Sequence, residues 1–243
     1  MKIQLFVPCF VDQLFPDTAF NMVSILEGLG CEVFYNPEQT CCGQPAFNAG
    51  FLNDCRPVAE KFIGDFNTED LIVAPSGSCT GFVRNYYGQL FYGNGPGDGE
   101  TLPIQKQVYE FSEFLVDVLG VVDVGAALHA KATYHDACGA LRECGIKDAP
   151  RKLLQKVSGL ELVEAADCEV CCGFGGTFAV KFEPISTSMA EQKVLNAMKL
   201  GAEYIISTDS SCLMQLDAYI RKHKCNIKVK HIADVLASRK GRH

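Results

Sequence analysis

The chain has 243 residues, 48% of them hydrophobic, with a formal net charge of −7 and a pI near 5.3. That is enough apolar length for one large domain or two small ones, and the acidic balance excludes the electrostatic attraction that nucleic acid or an anionic membrane would require. No uncharged apolar stretch reaches the roughly 18 residues of a membrane helix, because Leu115 to Leu128 is broken by Asp117 and Asp123.

Lys2 to Pro8 reads as a strand closing on Cys9; as an export signal it is too short, so a cytoplasmic location is expected. Asp17 to Gly28 reads as a helix, Glu32 to Tyr35 as a strand, and Phe51 to Phe66 as a helix. Asp70 to Pro75 is a strand ending at Ser76-Gly77-Ser78-Cys79, and Cys79 to Gln89 is a helix. Tyr92 to Pro103 holds six glycines and prolines and reads as an exposed connection. The first lobe is therefore placed at 1–105 and the second at 106–243, opened by a bridging helix over Val108 to Leu119. In the second lobe, strands are expected at Lys131 to His135, Glu161 to Glu164 and Glu203 to Ser207. Helices are expected at Pro150 to Val157, Ile185 to Leu200 and Ser211 to Lys222. The alternation predicts an α/β fold: two pseudo-symmetric lobes from an internal duplication, each a mainly parallel sheet flanked by helices.

Thirteen cysteines, an odd number in a chain without an export signal, argue against a disulfide framework. Their order argues for something else. Cys-Cys-Gly occurs twice, at Cys41-Cys42-Gly43 and Cys171-Cys172-Gly173. A lone cysteine precedes each copy by 32 or 33 positions (Cys9, Cys138), and another follows it by 37 or 40 (Cys79, Cys212). Loops beyond the carboxyl ends of neighbouring parallel strands converge, so these residues can share a site in each lobe. Adjacent thiolates repel unless a cation lies between them, and glycine after the pair lets the backbone turn around a bulky group. Cys9, Cys41, Cys42 and Cys79, and again Cys138, Cys171, Cys172 and Cys212, are thus predicted to bind metal: an iron–sulfur cluster in one or both lobes, or structural zinc as the alternative. Cys31, Cys55, Cys144, Cys168 and Cys225 have no repeat partner and read as packing or surface residues, with Cys168 close enough to the second pair to add a ligand. His135 and Asp136 are candidates for relaying a proton or orienting a ligand, against an ordinary strand-end hydrogen bond. Arg142 and Lys181 are candidates for a substrate carboxylate, against surface ion pairs. No catalytic residue is assigned.

The doubled pattern, with Pro37-Glu38-Gln39-Thr40-Cys41-Cys42-Gly43-Gln44-Pro45, Tyr134-His135-Asp136-Ala137-Cys138 and Cys171-Cys172-Gly173-Phe174-Gly175-Gly176-Thr177-Phe178, resembles the cysteine-rich CCG-domain family. That family includes cluster-bearing subunits of heterodisulfide reductase, glycolate oxidase and anaerobic glycerol-3-phosphate dehydrogenase. The stand-alone length is most similar to the branch serving lactate utilisation. The resemblance implies an electron-transfer subunit with 4Fe-4S clusters, non-catalytic or co-catalytic in an oxidoreductase that oxidises L-lactate to pyruvate. It also implies two partners, a ferredoxin-like iron–sulfur subunit and a third lactate-utilisation subunit. A heterodisulfide-reductase-like catalytic cluster subunit and a zinc-binding, non-redox interaction module stay open beside it. The heterodisulfide-reductase motif ends in Cys-x-x-Cys, whereas the earlier position here is Ser76 or Asp209, either of which would offer oxygen instead. Where many relatives carry histidine after the lone cysteine of the second copy, this chain has Gly139.

Overall fold

The computed structural model describes residues 1–92 and 102–239. Most of the glycine- and proline-rich connection predicted over Tyr92 to Pro103 lies outside the described residues. The first lobe runs β1 (Lys2–Leu5), α1 (Cys9–Leu14), α2 (Pro16–Gly28), β2 (Glu32–Tyr35), α3 (Gln44–Asn48), α4 (Leu52–Asp65), β3 (Leu71–Ala74), α5 (Gly77–Tyr92), β4 (Val108–Glu110) and α6 (Phe111–Glu113). The second runs β5 (Ala127–Tyr134), α7 (Asp148–Leu154), β6 (Ser158–Val163), α8 (Thr177–Lys181), α9 (Glu183–Lys199), β7 (Tyr204–Ser207), α10 (Ser210–His223), β8 (Lys228–His231) and α11 (Ile232–Leu236). Each lobe is one four-stranded, wholly parallel sheet, with order β2-β1-β3-β4 in the first and β6-β5-β7-β8 in the second. Parallel strands need crossovers, and the intervening helices supply them while covering the sheet faces. The fold is therefore α/β with two matching lobes.

The long periodic helices lie where their apolar spacing predicts, whereas short elements depart from expectation. The segment expected to be helical from Val108 opens instead as β4, pairing Val108 with Ile72 and Glu110 with Ala74. Two β-formers, Val108 and Tyr109, lie beside an open sheet edge, and Glu110 then caps the following turn by accepting from Ser112 N at 2.8 Å. Helical geometry begins only at Phe111 and continues as a wide turn over Phe114–Val118. The first sheet thus draws on residues beyond position 105. β8, α1, α3, α8 and α11 were not expected; each has four to six residues, fewer than an amphipathic period needs to declare itself.

The lobes are joined by packing as well as by the chain. One apolar core is shared between them, with Ile3, Leu5, Met22, Val73 and Phe114 from the first lobe against Tyr134, Leu153, Ile206, Ile232 and Val235 from the second. The outer faces carry separate cores, one around Phe6, Phe62, Phe66 and Tyr87, the other around Ala190, Val194, Ile205 and Leu216. Thr18 and Asn21 of α2 donate to Asp234 of α11 at 3.1 and 2.9 Å. The start of α5 presses on the turn Gly139–Glu143 so closely that a Cβ on Gly77 would lie 2.4 Å from Ala140 Cβ, and one on Gly139 would lie 2.6 Å from Ser78 Cα. Among the described residues no helix is long and apolar enough to cross a membrane.

Candidate metal centre

In each lobe the cysteines arrive from three loops at the carboxyl end of the sheet. Cys9 and Cys138 follow β1 and β5. The Cys-Cys-Gly pairs lie on the loops that follow β2 and β6, and Cys79 and Cys212 are the third residues of α5 and α10. Both late cysteines therefore sit in the first turn of a helix, where backbone amides lack intrahelical partners.

All eight are brought together, four to a lobe. Cys9 neighbours Cys41, Cys41 neighbours Cys42 and Cys42 neighbours Cys79, and each thiol shifts the proton affinity of the next. The second lobe repeats the chain through Cys138, Cys171, Cys172 and Cys212. Cys41 is pulled well below the usual thiol range, first by hydrogen bonds from Cys42 and Cys9 and then by the Gly43 amide, while Cys9 and Cys42 are pushed up by holding the protons that Cys41 accepts. Cys171 and its neighbours behave the same way. The Gly43 and Gly173 amides donate to Cys41 Sγ at 3.3 Å and Cys171 Sγ at 3.4 Å. Left-handed dihedrals at those glycines, φ +95° and +90°, turn the amides onto sulfur. Cys42, Cys172 and Cys212 form buried floors, whereas Cys9 is exposed at the rim. A half-buried cup of four soft sulfur donors with amides aimed at it fits a soft metal or an iron–sulfur cluster.

The supporting residues also correspond. Cys55 Sγ donates to Gly43 O at 3.3 Å, and Ser186 Oγ donates to Gly173 O at 2.7 Å, so Cys55 does have a repeat partner, one of another residue type. The oxygens proposed as substitutes for the missing cysteines are otherwise engaged. Asp209 Oδ2 accepts from Ser76 Oγ at 3.2 Å and from Ser78 N at 2.9 Å, and its Oδ1 accepts from Ser211 Oγ at 2.6 Å. They fasten one lobe to the other. Cys168 lies outside the second chain of thiols; its thiol turns to the Asp136 carboxylate and burial raises its pKa. Cys31 and Cys55 are buried, and Cys144 and Cys225 partly so. Asp136 is held by a two-pronged pair with Arg151 at 2.7 and 2.8 Å. Arg142 donates to the Glu169 carbonyl at 3.3 Å.

His135 differs from expectation. Its backbone makes the strand-end bonds, donating to Ile206 O at 2.7 Å and accepting from Ser207 Oγ at 2.9 Å, yet both ring nitrogens are buried without a partner. One lies within 4.8 Å of both Cys172 Sγ and Cys212 Sγ. Burial, and then Lys193, push its pKa down to about 3, keeping the ring neutral. A signal for this was present in the sequence. Aligning the repeats on Cys9 and Cys138 sets His135 opposite Phe6, a polar ring where the duplicate has an apolar one.

Two regions of the chain, residues 3–84 and 132–217, match the cysteine-rich domain CCG. Lactate utilization protein A of Geobacillus kaustophilus is 42% identical over 239 residues, which cover 98% of this chain and all of that one. Lactate utilization protein A of Bacillus subtilis matches at the same identity and coverage. Glutamate racemase RacE1 of Bacillus anthracis aligns over 97% of this chain and 78% of its own at 12% identity and a TM-score of 0.36.

Proposed function

We propose, from the premise that this chain belongs to the cysteine-rich CCG-domain family, that it acts in lactate utilisation as an iron–sulfur electron-transfer subunit of a multi-component oxidoreductase. L-lactate, oxidised to pyruvate, is the substrate favoured for the whole assembly. The observation that carries this reading is the gathering, once in each lobe, of four cysteines from three loops at the carboxyl end of a parallel sheet, with a glycine amide donating to one sulfur of each group. Full-length similarity to proteins named for lactate utilisation supplies the pathway.

Cys9, Cys41, Cys42 and Cys79 hold one 4Fe-4S cluster in this reading, and Cys138, Cys171, Cys172 and Cys212 a second. A cluster supplies reversible one-electron chemistry. The chain itself supplies the ligands and the two amide donors to sulfur. It also supplies the apolar floor that keeps water from three of the sulfurs and an open rim at Cys9 where a partner can approach. The partners are a ferredoxin-like iron–sulfur subunit and a third lactate-utilisation subunit, in the cytoplasm, where free thiols persist.

Anaerobic purification with iron, sulfide and electron paramagnetic resonance measurements tests the centres. Iron and sulfide are both expected, and Cys42→Ser and Cys172→Ser should each lower them by about half. Zinc without sulfide would overturn the assignment. Co-expression with the two partners should then give a paramagnetic signal that appears on adding lactate, as the clusters each take up one electron.

A further inference from the structure

The two lobes match strand for strand and sulfur for sulfur, so places where they differ in chemistry around the same site are informative. In the first lobe the floor behind Cys42 is aromatic: Phe6 meets Phe62 edge-on with ring centroids 4.8 Å apart, and Phe66 and Tyr87 close the cluster. Superposing the repeats sets Phe6 opposite His135, since each donates its backbone amide to the matching carbonyl of the central strand, Val73 or Ile206. The same register sets Phe62 opposite Lys193, one helical repeat beyond the pair Cys55 and Ser186. An apolar pair has thus become a polar one in the second lobe alone. Lys193 is nearly buried there and donates to the carbonyls of Asp167 and Cys168.

A buried imidazole with neither nitrogen bonded is costly, because each nitrogen has given up its hydration with no hydrogen bond in return. His135 bears that cost on both sides of its ring. Cys172 and Cys212 lie within 4.8 Å of a ring nitrogen and of each other, a spacing that lets one metal atom reach all three. His135 also lines a small cavity together with Thr133, Asp167 and Lys193, and two of those neighbours bring further buried, unpartnered oxygens, Thr133 Oγ1 and Asp167 Oδ1. Histidines that bind metal through one nitrogen give the other to an outer oxygen or water. His135 has both halves of that arrangement.

We propose that the second-lobe centre is a mixed sulfur–nitrogen site in which His135 supplies a ring nitrogen beside Cys172 and Cys212, while the first-lobe centre, with Phe6 in the same place, is bound by sulfur alone. This rests on the reading above only in that metal occupies the thiol cups. The iron–sulfur assignment can fail, for instance in favour of zinc, without touching it. An imidazole present in one centre and absent from the other makes the two centres chemically unequal.

The test uses Co²⁺ alone, which needs no sulfide. The reduced, metal-free full chain is loaded anaerobically and studied by absorption and by proton NMR in water, beside His135→Phe, which installs the first-lobe residue, and His135→Gln. The wild type should show thiolate-to-cobalt bands and a strongly shifted, exchangeable imidazole N–H proton. Both variants should lose that proton and keep the first-lobe bands, which also report that they are folded. Thiolate bands without the shifted proton in the wild type, or a proton that survives both substitutions, would overturn the imidazole ligand while leaving the iron–sulfur reading intact. No thiolate bands at all would remove the metal premise and the proposal with it.

Discussion

At the residue scale, the cysteines were legible because their chemistry requires cysteine itself and a duplication printed the spacing twice. The residues that support them were not, because a hydrogen bond to a loop carbonyl accepts any donor of the right reach. Cys55 and Ser186 do the same job with different side chains, so the repeat hides them. A prediction follows from their equivalence. Cys55→Ser should cost less than about 1 kcal/mol in denaturant unfolding, whereas Ser186→Ala, which strips Gly173 O of its donor, should cost about 1–3 kcal/mol. The glycines give a second contrast. At Gly173 a Cβ would lie 2.6 Å from the Ser186 carbonyl oxygen, and at Gly43 it would lie 3.0 Å from Cys55 Sγ, the end of a side chain that can turn. Both carry left-handed backbone, so each alanine is strained by about 1–3 kcal/mol, with Gly173→Ala the worse of the two. Equal losses in melting temperature would contradict the contact.

At the element scale, helices of thirteen or more residues were read to within three residues at either end, since several turns of apolar spacing are hard to mistake. Two of the four edge strands, β4 and β8, were not. β4 and β8 have three and four residues, and what makes them strands is a vacant sheet edge elsewhere in the chain. Each ends on a buried ionisable residue that caps the next helix and reaches into the other lobe. Glu110 takes a hydrogen bond from the Thr208 hydroxyl, and His231 Nε2 lies 3.2 Å from Pro75 O. Burial lifts the Glu110 carboxyl to about 7, outweighing the hydrogen bonds that lower it. The native state therefore binds this proton more tightly than the unfolded chain, where the value is about 4.5. Its contribution is complete below about pH 4.5 and is lost as pH rises through 7. Glu110→Gln, which cannot ionise, should gain on the wild type by about 3 kcal/mol between pH 5 and pH 8. Parallel stability profiles over that range would refute the assignment.

At the scale of the molecule, two lobes were readable from the repeat, but their union was not, because no sequence period reports which faces of two sheets meet. Ile3, Leu5 and Val73 share one core with Tyr134, Ile206 and Val235, so neither lobe keeps its inner face dry alone. Thermal unfolding of the metal-free chain should be a single transition, with calorimetric and van't Hoff enthalpies in agreement. The closest approach in this union, Gly77 and Gly139 against the opposite backbone, leaves no room for a methyl group. Gly139→Ala should lower stability by about 1–3 kcal/mol without splitting the transition, as overpacking at a shared boundary does.

The crossing contacts of Glu110 and His231 have a further consequence. The two residues hold the same register position, opposite Ala74 and Ser207 on the neighbouring strands, and so do Ser76 and Asp209 after them. Were the lobes separate copies meeting about a true dyad, each position would have to carry the same residue in both, and the second pair, which faces itself, would set acid against acid if it kept the aspartate. Fusion into a single polypeptide lifts that restriction, letting a hydroxyl face a carboxylate there and letting a phenylalanine and an imidazole diverge beneath otherwise identical sulfur cups.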